Sequence, residues 1–266
     1  MKTPNEQEAA PSTPPATAEA APSAIELNAL RWGDPLRWLQ LGLRDFLRCP
    51  FIGLFYGACF MVMGWALLKV FESAPAYVLA LSAGFLLVGP LLCLGLYRVS
   101  QQLERGERPD FGDSLLAWDT RPGTLAIFAF VLLVLEMLWG RASLIVFAVS
   151  FDGMPDFKGS ILALFNPENI GFIVAYLVVG GVFAGLIFAV SVVAMPMMLD
   201  RPVDAITAGL TSLRLVLSQP GVMVVWGALI TLLVVIAMLP WFAGLLIVGP
   251  VLGHASWHAY RSAIKA

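Results

Sequence analysis

Residues 221–239 read GVMVVWGALITLLVVIAML, an apolar stretch without a single charged side chain. About 20 such residues, rising 1.5 Å each as a helix, cross the hydrocarbon core of a bilayer. Five more segments are long and largely apolar: Phe51–Phe71, Ala74–Val99, Gly123–Ser150, Pro167–Leu199 and Pro240–Tyr260. The chain therefore reads as an all-α, polytopic membrane protein of about six transmembrane helices. Composition agrees, at 59% hydrophobic and 13% charged, whereas soluble domains run about 45–50% and 25%. Two of the spans exceed what a bilayer requires and must tilt, kink or project.

The first 28 residues are a different material, with PSTPPATAEAAPS at 11–23 and almost no large apolar side chains. Such a stretch cannot offset its ordering entropy by burial, so residues 1–28 are expected to form a disordered tail ahead of an integral membrane domain at 29–266. No apolar run follows Lys2, so the tail is not a signal peptide. Lysine and arginine gather before Phe51, at Arg98–Arg121, at Arg201–Arg214 and at the C-terminus; Lys69, Arg141 and Lys158 fall elsewhere. The positive-inside rule then puts both termini in the cytoplasm and FDGMPDFKGSILALFNPEN at 151–169 outside. Trp32, Trp38, Trp118, Trp257 and Tyr260 fall near the expected cytoplasmic boundaries, as residues of an aromatic belt do. A net charge of −2 without basic runs excludes nucleic acid as a partner.

A repeat organises these spans. In PLRWLQLGLRDFLRCP, Arg37, Gln40, Arg44 and Arg48 recur at helical spacing opposite Leu39, Leu43, Phe46 and Leu47, the pattern of a helix lying at the interface. In PVDAITAGLTSLRLVLSQPG, Asp204, Thr207, Thr211, Arg214 and Ser218 form one stripe and Ile206, Leu210, Leu213 and Leu217 the other. FGDSLLAWDTRPG is a shorter and weaker copy. Each ends in Pro50, Pro122 or Pro220, at the first turn of the following span, where a missing amide hydrogen is harmless. The second span of each hairpin carries Pro90, Pro196 or Pro250, and two of these share nearly one string, LLVGPLL at 86–92 and LIVGPVL at 246–252. Internal prolines predict kinks. The expected plan is three parallel hairpin repeats, at about 35–108, 109–201 and 202–261, each preceded by a cytoplasmic interfacial amphipathic helix.

Polar groups inside spans are the candidates for function, because burying them in lipid is costly. His254 and His258 lie four residues apart on one helix face, a spacing that can ligate a metal. A catalytic zinc takes three protein ligands, and two histidines one turn apart cannot clamp both faces of a haem, so no cofactor is assigned. Aligning the internal prolines sets His254 opposite Asp200, and His258 opposite Arg98 and Asp204; Arg98, Asp204 and His258 are then expected to interact across repeats. Glu136 and Arg141 sit within one span about 140° apart around the helix, so the partner of Glu136 is expected on another helix. Asn166-Pro167-Glu168 has the form of a helix start. Cys49, Cys59 and Cys93 lack metal-ligating or paired spacing. No phosphate-binding glycine loop, H-E-x-x-H or G-x-S-x-G occurs, so nothing proposes an enzyme.

The strings WLQLGLRDFLRCP at 38–50, FLLVGP at 85–90, LDRPVDAITAGLTSLR at 199–214 and GHASWHAYR at 253–261 closely resemble the bacterial family of integral membrane proteins called domain of unknown function 2189. The likeness runs from about Arg31 to Arg261. It implies a protein of the bacterial inner membrane but no activity. Some members carry the label of a cytochrome c oxidase subunit I, whose haem–copper core takes six histidine ligands; this chain has two. Three functional readings follow: a scaffold or accessory subunit partnered by lipid and by other membrane subunits or itself; a small transporter or channel using Glu136; and a haem-linked respiratory component using His254 and His258.

Overall fold

The computed structural model describes residues 25–73, 78–150 and 170–265. Most of the expected tail and the expected outer segment 151–169 lie outside the described residues. The described chain is helical: α1 (Asp34–Arg48), α2 (Pro50–Ser73), α3 (Val78–Glu104), α4 (Phe111–Leu115) with a 3-10 turn at Ala117–Thr120, α5 (Pro122–Ser150), α6 (Ile170–Ser191), α7 (Ala194–Asp200), α8 (Ala205–Ser218), α9 (Pro220–Met238) and α10 (Leu245–Ala263). Pro50, Pro122 and Pro220 open α2, α5 and α9, where their fixed φ suits a first helical turn.

Among the described residues, four helical stretches are long and apolar enough to cross a membrane: Pro50–Val70, Pro122–Ser150, Ile170–Asp200 and Pro220–Met238. The other two expected spans, α3 and α10, are helical; α10 ends in the polar sequence His254–Arg261, which dilutes its apolar length, whereas α3 has an uncharged run from Val78 to Tyr97 before its polar end. The last span also starts later than expected. Residues 239–244 form a tight turn with Trp241 and Phe242 at φ of 47° and 64°, and α10 begins at Leu245. Of the internal prolines, Pro90 and Pro250 lie within continuous helices. Pro196 does not: the helix breaks at 192–193 and Pro196 sits in the first turn of α7, where its lost donor breaks no bond.

The packing has a regular order. α1 lies along α10, which also packs on α2 and α3; α4 packs on α3, and α8 on α6 and α7. One small residue marks each of these three contacts. Gly42, Ser114 and Ser212 are all buried, and each lies eight positions before an entry proline. A Cβ on Gly42 would press into the backbone of Val251 and Ala255 of α10. The Ser114 hydroxyl donates to the Gly95 carbonyl of α3 at 3.2 Å, and the Ser212 hydroxyl to the Ala189 carbonyl of α6 at 2.8 Å.

The chain ends close the structure. Leu27 bridges Ile264, the Asn28 amide donates to the Ala263 carbonyl at 2.8 Å, and Glu26 pairs with Lys265. Gln219 joins them, accepting from the Leu30 amide at 2.6 Å and donating to the Asn28 carbonyl at 2.8 Å. Residues 25–28, expected within the tail, are thus held against the C-terminus. Three of the expected belt aromatics are core residues instead. Trp38, Trp257 and Tyr260 are buried, because their polar atoms find partners inside: Trp38 Nε1 on Ser262, Trp257 Nε1 on Glu104, and the Tyr260 hydroxyl on Asp200. Trp32 and Trp118 are exposed.

Candidate functional site

The site begins with the inward face of α1. Trp38, Gly42, Asp45 and Phe46 recur at steps of three and four and are buried, as one helix face must be. Gly42, lacking a Cβ, lets α1 close onto α10. Asp45, less than one turn further on, is thereby carried into a polar pocket of α3 and α10 side chains. Its Oδ2 lies 2.7 Å from His258 Nε2 and accepts from Ser100 Oγ at 2.9 Å.

Ser100 Oγ also lies 2.8 Å from His254 Nδ1. An ionised carboxylate only accepts, so the serine proton points to Asp45 and the serine oxygen accepts from His254 Nδ1. That assigns His254 the Nδ1 tautomer; its Nε2 is buried and makes no hydrogen bond of ordinary geometry with a described residue. Burial by itself would raise the Asp45 carboxyl, but the hydrogen bond and charge of His258, with the Ser100 hydroxyl, hold it below the usual carboxylate range.

A second network lies beside the first, where the ends of α3, α7 and α10 meet. Asp200 accepts from Gln101 Nε2 at 2.9 Å and from the Tyr260 hydroxyl at 2.7 Å, with Arg261 at 3.5 Å. Glu104 accepts from Trp257 Nε1 and Arg261 Nε, both at 3.0 Å. Arg201 donates to the Tyr260 hydroxyl at 3.0 Å and to the Lys265 carbonyl at 2.6 Å. These bonds link segments far apart in sequence and hold the helix ends at fixed positions.

Several expected candidates fall differently. Arg98, Asp204 and His258 do not pair with one another. Arg98 bonds Gln101 on its own helix at 2.8 Å, and Asp204 caps α8, accepting from the Ile206 and Thr207 amides, both at 2.9 Å. The polar atoms of Arg98 and Asp204 are taken up within their own segments instead, and those of His258 by Asp45. Glu136 is buried on the inner face of α5, in line with Leu125, Phe128 and Leu132, and forms no hydrogen bond or ion pair with a described residue; Tyr176 of α6 lies within reach of its charge. Arg141 is exposed. Among the described residues no three histidine, cysteine or carboxylate side chains gather as metal ligands, and both imidazoles bond Asp45 or Ser100. Pro90 lines a narrow apolar cleft with Leu125, Phe128, Leu132 and Met195.

Sequence reasoning missed Asp45, Ser100, Gln101 and Glu104. A signal existed for the first: Asp45 is a carboxylate on the same helix face as Trp38, Gly42 and Phe46, a face otherwise built for packing. The other three follow Arg98 in one polar stretch, which offers no hint of which side chain turns inward.

Over residues 78–200 the chain matches the family described as predicted integral membrane protein, DUF2189. The matched segment runs from α3 through α7. It contains Ser100, Gln101, Glu104, Glu136 and Asp200, whereas Asp45, His254 and His258 come from outside it. No curated protein and no solved structure matches the chain.

Proposed function

We propose that this protein is a non-enzymatic scaffold or accessory subunit of a bacterial inner-membrane complex, built as three same-way hairpins of six spans, with both termini cytoplasmic. One observation carries the functional part: the polar side chains at the helix ends bond one another across segments far apart in sequence. Asp45, Ser100, Asp200, Glu104, Tyr260 and Arg261 join separate segments into one rigid end. Meanwhile only 22–28% of the four apolar spans is buried within the chain, leaving lateral surface for lipid or other membrane helices. The repeat reading draws support from Gly42, Ser114 and Ser212, which stand at equal distances from their entry prolines and seat α1, α4 and α8 on the second helix of the neighbouring hairpin. The basic flanks of the same segments support the cytoplasmic assignment. Extraction from native membranes in a detergent-free polymer tests the subunit role. A particle of defined stoichiometry with other membrane subunits or further copies of the chain is expected; a lone monomer would contradict it.

A small transporter or channel is the second reading, and Glu136 favours it. A buried carboxyl without a hydrogen bond, inside a membrane helix, is a group that proton or solute traffic would use. Solute or proton flux into proteoliposomes that disappears on Glu136→Gln would replace the first reading with this one.

A further inference from the structure

We propose that the outer face of α1 is a binding site for the headgroups of anionic phospholipids. The inference rests on the interfacial placement of α1 proposed above. With Trp38, Gly42, Asp45 and Phe46 turned inward, two further stripes are left on the helix. Leu36, Leu43 and Leu47 are 57%, 44% and 65% exposed, and Phe51 at the start of α2 extends their line at 74%. About 100° around the helix from the leucines run Arg37, Arg44 and Arg48, all exposed. None of the three guanidinium groups forms a hydrogen bond or ion pair with another described residue.

This contrasts with the arginines of the helix ends. Arg121 donates to the Met198 carbonyl at 3.2 Å, Arg201 to Tyr260, and Arg261 to Glu104. The carboxylate nearest the arginine stripe, Asp45, points the other way and is occupied by His258 and Ser100. Asp34, at the start of the helix, accepts from the Arg31 amide at 2.7 Å. Among the described residues the stripe therefore presents three uncompensated guanidinium groups, spaced about 10 Å and about 6 Å along the axis.

Uncovered leucines beside uncompensated arginines match one environment, the boundary where acyl chains meet phosphate. A water-facing helix has no use for the leucines, and a lipid-buried one could not carry the arginines. Guanidinium groups bind phosphate oxygens through paired N–H donors, which zwitterionic headgroups offset with their own cation and anionic ones do not. α8 carries a weaker version, with Ile206, Leu210 and Leu217 exposed at 70%, 60% and 71% but only Arg214 beside them. The selectivity thus belongs to α1.

The full chain in nanodiscs of equal parts phosphatidylcholine and phosphatidylglycerol tests this, with native mass spectrometry reading the lipids that leave with the protein. Enrichment of phosphatidylglycerol by at least about threefold over the bulk ratio is expected. The triple variant R37Q/R44Q/R48Q is expected to return to the bulk ratio, R37K/R44K/R48K to keep most of the enrichment, and R105Q/R108Q to keep all of it. No enrichment in the unmodified chain, or undiminished enrichment in the glutamine triple, overturns the site. Should the triple variant fail to fold, Arg44→Gln alone decides by losing or keeping part of the enrichment. Soluble glycerol phosphate is expected not to displace the lipid; displacement would overturn a site that needs the leucines. A spin label at Gln40 in a cysteine-free chain separates the two levels. A water-exposed label ends the interfacial reading and the inference with it, whereas an interfacial label without lipid selectivity ends the inference alone.

Discussion

His258 Nε2 lies 2.7 Å from Asp45 Oδ2, and this contact fastens the helix that precedes the first span to the helix that ends the chain. Asp45→Asn keeps the shape but removes the charge that holds His258 and Ser100. The variant is expected to lose about 1–3 kcal/mol of stability, read as a lower unfolding temperature in detergent, with amide exchange rising first in α1 and α10. Unaltered exchange in those helices would mean that apolar packing alone holds them.

The same carboxyl makes the clasp sensitive to acid. Its native value is held below the ordinary one by His258 and Ser100, so the stabilisation it contributes is complete above roughly pH 4 and is lost as pH falls through the lowered native value. Protection of α1 amides should include a loss below about pH 4 that belongs to Asp45. Asp45→Asn should remove this contribution, so that α1 and the rest of the chain lose protection together.

Gly42 sets the distance between α1 and α10. A methyl group there meets the Val251 carbonyl and the Ala255 amide, which are backbone and cannot swing aside. Gly42→Ala is expected to cost about 1–3 kcal/mol, while Gly33→Ala, with open space around it, should stay within about 0.5 kcal/mol. Equal melting temperatures for the two variants would contradict the close approach.

Asp200 and Arg98 stood on the same footing in the sequence but not in the fold. Asp200 receives donors from α3 and α10, so Asp200→Ala strands Gln101 and Tyr260 and is expected to cost roughly 2–4 kcal/mol. Among the described residues the Arg98 side chain hydrogen-bonds Gln101, three residues along its own helix. Arg98→Ala should cost less than about 0.5 kcal/mol, and thermal unfolding of the two variants side by side checks the order.

Glu136 is buried without a hydrogen bond in an apolar helix, an arrangement that costs stability. Glu136→Leu is expected to raise the unfolding temperature, by an amount equivalent to about 1–3 kcal/mol. A lower temperature would reveal a partner for the carboxyl and remove the basis of the transport reading.

The apolar runs and their entry prolines were legible because membrane insertion responds to length and composition, which are properties of one segment at a time. Residues 221–239 needed no neighbour to be read as a helix, and Pro50, Pro122 and Pro220 open their helices as the missing amide hydrogen requires. The candidate site was not legible in the same way. His254 and His258 could be placed on one helix face, but their partners Ser100 and Asp45 lie 154 and 213 residues away. Trp38, Trp257 and Tyr260 carry the composition of a belt and sit in the core, since only the packing of α1, α3, α7 and α10 supplies acceptors for their polar atoms. A chain by itself determines how far along the membrane normal each side chain lies. The direction each one faces around its helix is decided by which helices pack against it, and that choice belongs to the tertiary structure because burial and hydrogen bonding are satisfied between segments, not within them.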